Sequence, residues 1–370
     1  MNQDEASVEI ITRLVPAVLR GLHALEVASR HLSPSNLDEL AKAVAGRNDE
    51  LVEALAASRG HEWPERFQPV RDCLERSGEA AGEGLSRFLA AGEAEQPIVA
   101  AYRALRNYAR AAEALYPLAA HLKPVGQFFL EASARDDKAL AERLASADPD
   151  QENVGFMHID GPAGARGAFS LYVPEYYDSS RAWPLVVAMH GGSGNGGAFL
   201  WSWVREARTR GLIVVAPTAR GSTWSLMEPE IDGPNVDSMV EDISAHWNID
   251  RSHVLLTGMS DGGTFTYVLG LRGDYGRPFT HLAPVSAVFH PMMLGTGDAE
   301  RVRGLPIHIV HGARDWMFPP EVAQGAERAL KQAGAEVVYR EIADLSHTYP
   351  RDQNAAILDW FLRERAEIAA

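Results

Sequence analysis

A single cysteine, Cys73, stands among the 370 residues. That excludes an intramolecular disulfide and any cysteine-ligated metal cluster, so the thiol is expected to pack as a small apolar group. No run of about 18 or more apolar residues offers a membrane-spanning helix. Basic residues are in deficit: 35 Lys and Arg face 50 Asp and Glu, a net charge of −15. The acidic excess is shared between residues 1–150 and the remainder, so neither half carries the basic footprint that a nucleic-acid partner requires. No H-E-x-x-H motif or carboxylate cluster points to a metal. No G-x-x-x-x-G-K-[ST] loop, and no G-x-G-x-x-G opening a helix after the first long strand, points to a nucleotide. The first twenty residues carry Asp4, Glu5 and Glu9, and their apolar run is interrupted by Arg13, Pro16 and Arg20. A secretory leader has a basic-then-apolar layout instead, so the expected location is cytoplasmic.

What is present divides into two textures. Length favours two domains, and 46% hydrophobic with 23% charged residues is ordinary for globular chains. Residues 1–145 are rich in Ala, Leu, Glu and Arg, with apolar stripes at helical spacing. Val8, Ile11, Val15, Val18 and Leu22 form one stripe, which Pro16 is expected to kink or break. Leu37, Leu40, Ala41 and Val44 form a second, with Ser33-Pro34 as its cap and first-turn proline. Ile98, Tyr102, Leu105, Tyr108 and Ala109 form a third, and Gly78, Gly82 and Gly84 suggest helix ends. The expectation is an all-helical N-terminal domain that acts as a cap, a dimer interface or a structural extension. Ala145–Asp150 reads as a linker.

From residue 154 to 370, β-type runs alternate with helical ones. Val154–Ile159 and Ala168–Val173, separated by Gly161-Pro162-Ala163-Gly164, suggest an antiparallel pair. Then come Pro184–Met189, Leu212–Ala216, His253–Thr257, Leu282–Phe289, Pro306–Val310 and Glu336–Ile342. Continuous aliphatic runs fit strands buried on both faces, so the expected fold class is α/β, a mostly parallel, doubly wound sheet. Ligands bind such sheets beyond the carboxyl ends of the strands.

The chemistry lies at those ends. Gly258-Met259-Ser260-Asp261-Gly262-Gly263 follows a strand and precedes a helix, the G-x-S-x-G turn that lifts a serine hydroxyl clear of the backbone. An unassisted hydroxyl is a poor nucleophile, so Ser260 needs a base, and the base needs an orienting carboxylate. Asp315 follows the strand Pro306–Val310 and His347 follows Glu336–Ile342, in the order Ser, Asp, His. Their spacings of 55 and 32 residues leave room for one or two βα units. Asp298, in an earlier loop, is the weaker candidate for the acid. His308 and His311 precede Asp315 and read as packed histidines, and Asp344 reads as a surface residue. His190-Gly191-Gly192-Ser193-Gly194 follows a strand and lets backbone N–H groups approach a substrate. Gly191, Gly192 and the N–H of Asp261 are the candidate oxyanion hole, and the Asp261 carboxylate reads as incidental. Trp201, Trp203, Trp224 and Trp316 fall in loops that should frame the mouth, a candidate apolar subsite. A serine mechanism needs neither cofactor nor metal, and none is expected.

Residues from about 155 to 365 resemble the α/β-hydrolase superfamily, most of all the esterases grouped with feruloyl esterases and polyhydroxybutyrate-depolymerase-like proteins. His190-Gly191-Gly192, Gly258–Gly263, His311-Gly312-x-x-Asp315 and Ser346-His347 carry the resemblance. It implies hydrolysis of small to medium carboxylic esters through a serine acyl-enzyme, with Ser260 as nucleophile, His347 as base and Asp315 as orienter. Activity should then fall as His347 becomes protonated. Two other readings share these residues. A peptidase of prolyl-oligopeptidase type has the same order, but usually behind a β-propeller, whereas the preceding region here is helical without a blade period. An interaction protein with a vestigial hydrolase domain is the other.

Overall fold

The computed structural model describes residues 3–148 and 151–363. Pro149 and Asp150 of the expected linker, and the last seven residues of the second domain, lie outside the described residues. The chain divides into two compact units, Met1–Lys138 and Ala139–Ala370.

The first unit is helical: α1 (Gln3–His31), α2 (Leu37–Arg59), α3 (Gln68–Leu89), α4 (Pro97–Leu105), α5 (Asn107–Leu115) and the short α6 (Lys123–Phe128). α3 packs against α1, α2, α4 and α5. Three sequence expectations change here. α1 continues through Pro16 without a break. Ser33 and Pro34 lie in the turn before α2, where the Asn36 side chain accepts the Ser33 N–H at 2.8 Å. The third stripe spans two helices, α4 and α5, which part at Arg106. A fourth correction is instructive: Gly78, Gly82 and Gly84 lie inside α3 rather than at helix ends. A Cβ at Gly78 would fall 2.9 Å from a Leu55 methyl, and one at Gly84 would fall 2.9 Å from Asn107 Cβ. These two glycines are there to let helices approach closely, which outweighs their low helix propensity.

α7 (Lys138–Ala145) begins at the last residue of the first unit, and the second unit continues from it into an eight-stranded sheet. Its strands are β1 (Gly155–Ile159), β2 (Phe169–Val173), β3 (Trp183–Met189), β4 (Ile213–Pro217), β5 (Ile249–Met259), β6 (His281–Val285), β7 (Pro306–Gly312) and β8 (Glu336–Ile342). The spatial order is β1-β2-β4-β3-β5-β6-β7-β8. β1–β2 and β2–β4 pair antiparallel, and every other pair is parallel. The connecting helices are α8 (Gly196–Leu200), α9 (Val204–Arg210), α10 (Gly233–His246), α11 (Asp261–Gly270), α12 (Met292–Thr296), α13 (Ala299–Val302), α14 (Pro320–Gln332) and α15 (Asn354–Phe361).

β2, β3 and β4 are legible as apolar runs because they are buried along their whole length. β8, at the sheet edge, alternates between half-buried and exposed positions. The run Leu282–Phe289 overshoots: the chain leaves the sheet at Ser286, whose φ of 45° no strand residue adopts. Among the described residues, no helix is long and apolar enough to cross a membrane.

Candidate active site

Ser260 sits between the last residue of β5 and the first of α11, with φ 55° and ψ −118°. A non-glycine residue held there is strained, and the surroundings over-determine it. Its N–H donates to Val285 O at 2.9 Å, tying the turn to β6. A Cβ at Gly262 would lie 2.3 Å from Met189 O, and one at Gly258 would lie 2.5 Å from the Gly262 carbonyl carbon. The glycines are therefore required by backbone crossing backbone.

The turn delivers the hydroxyl to a histidine. Ser260 Oγ is 3.0 Å from His347 Nε2. On the other side of the ring, Nδ1 is 2.9 Å from Asp315 Oδ2 and 3.1 Å from Oδ1. Only Nδ1–H can be shared with a carboxylate, so Nε2 is left free to accept the serine proton. All three residues are buried. Burial pushes the Asp315 carboxyl up. The hydrogen bond and charge of His347, with the Phe318 N–H and His311 behind them, outweigh it and hold the carboxyl below its ordinary value. Asp315 Oδ1 also accepts the N–H groups of Met317 (3.0 Å) and Phe318 (2.8 Å).

Supporting residues surround this line. His311, fully buried, donates Nε2–H to Phe318 O at 2.8 Å and so pins the turn that carries Asp315. The Phe318 ring stands perpendicular to His347 at 5.1 Å. Tyr349 Oη donates to Asn354 Oδ1 at 2.7 Å, and Asn354 Nδ2 donates to Ser202 O at 2.6 Å. The His347 loop is thereby tied to the start of α15 and to the α8–α9 turn. Tyr349 and Asn354 were not singled out in the sequence; only their nearness to His347 in the chain could have flagged them. Of the rival residues, Asp298 caps α13 by accepting the Glu300 N–H at 2.9 Å. His308 packs against Trp360 at 5.2 Å, and Asp344 is exposed.

The glycine loop after β3 lies against Ser260: a Cβ at Gly191 would be 3.6 Å from Ser260 Cβ. The N–H groups of Gly191, Gly192 and Asp261 have no hydrogen-bond acceptor among the described residues. Asp261 opens α11, where the helix leaves its first N–H groups unsatisfied. The loop after β4 holds this region from outside. Ser193 N–H donates to Ser222 O at 3.0 Å, Ala219 N–H donates to His190 Nε2 at 3.1 Å, and Trp224 Nε1–H donates to His190 O at 2.8 Å.

The tryptophans correct the sequence reading. Trp201, Trp203 and Trp224 are 3%, 0% and 3% exposed, so they cannot line an open mouth. Trp224 stacks on Phe265 at 5.1 Å in the core while its N–H holds the glycine loop. Trp203 backs Tyr349, and Trp201 packs on Phe156. Indoles turn inward here because each has a large apolar face to bury. Trp316 alone of the four is open, 46% exposed, with its ring edge-on to His347 at 6.4 Å. Among the described residues, no group of three or more His, Cys, Asp or Glu side chains could hold a metal.

No family model matches the chain. It is similar to the bifunctional acetylxylan esterase/xylanase XynS20E of Neocallimastix patriciarum, 29% identical over 205 residues, which covers 53% of this chain and 28% of that protein. A probable feruloyl esterase C of Aspergillus clavatus is 30% identical over 150 residues, 38% of this chain and 53% of the relative. Dipeptidyl-peptidase 5 of Aspergillus fumigatus is 29% identical over 179 residues, 42% of this chain and 24% of that protein. The chain thus spans about half or less of the length of these curated relatives. Its similarity, each time over part of its length, is to esterases and to a peptidase.

Proposed function

We propose that this chain is an α/β-hydrolase esterase that hydrolyses carboxylic esters through a serine acyl-enzyme. The observation that carries the reading is the hydrogen-bonded line from Ser260 Oγ through His347 to Asp315. In acylation, Oγ attacks the ester carbonyl carbon as Nε2 takes the hydroxyl proton. The negative charge that develops on the carbonyl oxygen is met by N–H groups of Gly191 or Gly192 and of Asp261. The intermediate collapses, the alcohol leaves, and His347 returns the proton to it. A water molecule, deprotonated by the same nitrogen, then attacks the acyl-enzyme, and the acid departs from a regenerated Ser260. Asp315 keeps the imidazole in the required tautomer and stabilises its protonated form. The exposed Trp316 ring beside His347 supports an apolar flank for the acyl or alcohol group, suited to small and medium esters.

Similarity to a dipeptidyl-peptidase favours a second reading, peptide-bond cleavage by the same residues. One experiment separates the two: turnover of a graded set of chromogenic acyl esters beside matched aminoacyl anilides, for wild type and Ser260→Ala. Ester turnover that disappears in Ser260→Ala, with little anilide cleavage, supports the esterase. Anilide cleavage at rival rates moves the reading to a peptidase, and wild-type turnover in Ser260→Ala would overturn both.

A further inference from the structure

We infer that the side chains of Asp261 and Thr223 form a positioning pair, setting the gap between the glycine loop and the N–H that follows the nucleophile. The inference rests on the serine-hydrolase reading above. Thr223 Oγ1 donates to Asp261 Oδ2 over 2.5 Å. The same Oδ2 occupies the space beside Gly192, where a Cβ would come within 2.7 Å of it. Three segments therefore meet at one carboxylate oxygen: the loop after β3, the loop after β4 and the first residue of α11.

The neighbours of Thr223 share the task. Ser222 O holds the Ser193 N–H, and the Trp224 indole holds His190 O. Those two bonds fix the glycine loop relative to the β4 loop, but neither touches the nucleophile turn. The Thr223–Asp261 bond carries a side-chain hydrogen bond across to it. Fixing the Asp261 side chain also restrains the direction of that residue's own N–H, one of the proposed oxyanion donors.

Chemistry sharpens the point. A carboxylate beside a developing oxyanion is repulsive, so at this position it is a burden to catalysis unless its oxygen does something else. Accepting the threonine hydrogen bond while packing against Gly192 is such a duty. Donor placement matters steeply, because a displacement of about 1 Å can cost roughly a hundredfold in rate. Losing a brace, rather than a donor, should cost about tenfold.

The test compares Thr223→Val, Asp261→Ala and Asp261→Asn with wild type. The readouts are the rate at which a fluorophosphonate labels Ser260, and kcat and KM on a short-chain nitrophenyl ester. Expected are labelling rates and kcat about tenfold lower in Thr223→Val and Asp261→Ala, with KM within about twofold. Asp261→Asn should keep clearly more of the labelling rate and kcat than Asp261→Ala, since its amide oxygen still accepts the threonine hydrogen bond. Labelling of both disrupting variants at the wild-type rate, or losses confined to KM, would overturn the inference. An Asp261→Asn as slow as Asp261→Ala would do the same. Should Asp261→Ala not fold, Thr223→Val decides alone. A wild type whose Ser260 resists labelling would instead overturn the serine-nucleophile reading itself.

Discussion

The helical unit and the sheet unit bury different things. Among the described residues of the helical unit, no Asp, Glu, His, Lys or Arg is buried; beside Cys73 and Tyr108, the buried polar side chains are Ser7, Ser58, Ser77 and Asn107. Each is spent on an ordinary partner, such as Ser77 Oγ on Ala111 O at 2.8 Å or Asn107 Nδ2 on Ala104 O at 3.0 Å. The sheet unit buries Asp315, Asp232, Glu206, Arg208 and several histidines as well. Burying a group that can carry charge costs far more than burying a hydroxyl and persists only where partners or function compensate. Glycine differs in the same way. In α3 it admits a neighbouring helix, whereas at the Ser260 turn it admits crossing backbone. The contrast points to chemistry in one unit and packing in the other.

The largest effect should come from Ser260→Ala against Ser77→Ala. The first is expected to lower ester turnover by roughly 10⁴–10⁶ while leaving the melting temperature nearly unchanged. The second should cost about 1 kcal/mol of stability and leave kcat alone; a matching fall in kcat would break the division of labour. Next come paired glycine changes. Gly262→Ala drives a methyl into Met189 O and should abolish both activity and the cooperative thermal transition of the sheet unit. Gly82→Ala, with its nearest neighbour 3.8 Å away in a Leu51 methyl, should be neutral or stabilising by up to about 1 kcal/mol. Circular dichroism melts read both.

Acid should then single out the sheet unit. His281 and His308 are both pushed down to about 4, chiefly by burial, with His253 and Arg340 adding to it respectively. A histidine with a depressed folded pKa supports the fold above its ordinary value of 6.5, and that support is lost as pH falls through about 4. Fluorescence-monitored acid unfolding of His308→Phe should therefore shift to lower pH, while an unshifted midpoint would remove His308 from the cause. Asp315, whose carboxyl is held below its ordinary value, should stay ionised throughout that window.

The smallest expected effect is that of Trp316→Ala. An exposed ring contributes little to folding, so stability should stay within about 0.5 kcal/mol. KM for bulky aryl esters should rise several-fold, and KM for acetyl esters should barely move. Equal changes for both would remove Trp316 from substrate contact.

The sequence by itself determined what depends on neighbours along the chain. Period and turn chemistry are local, so eight β-type runs, the Ser260 turn and the order of Ser260, Asp315 and His347 could be read without coordinates. Aliphatic runs fit strands buried on both faces, as β2, β3 and β4 are, and strand ends mark where ligands bind. Tertiary structure decided what depends on residues far apart in sequence. Trp203 and Trp224 sit in loops, as a mouth would require, yet they turn inward because Tyr349 and Phe265 offer them apolar faces. Gly78 looks like a helix end until Leu55 arrives beside it. Asp261 reads as incidental until Thr223, 38 residues earlier, meets its carboxylate. A linear pattern records which side chains a segment can bury; it does not record which partner arrives from elsewhere, and that partner sets the role.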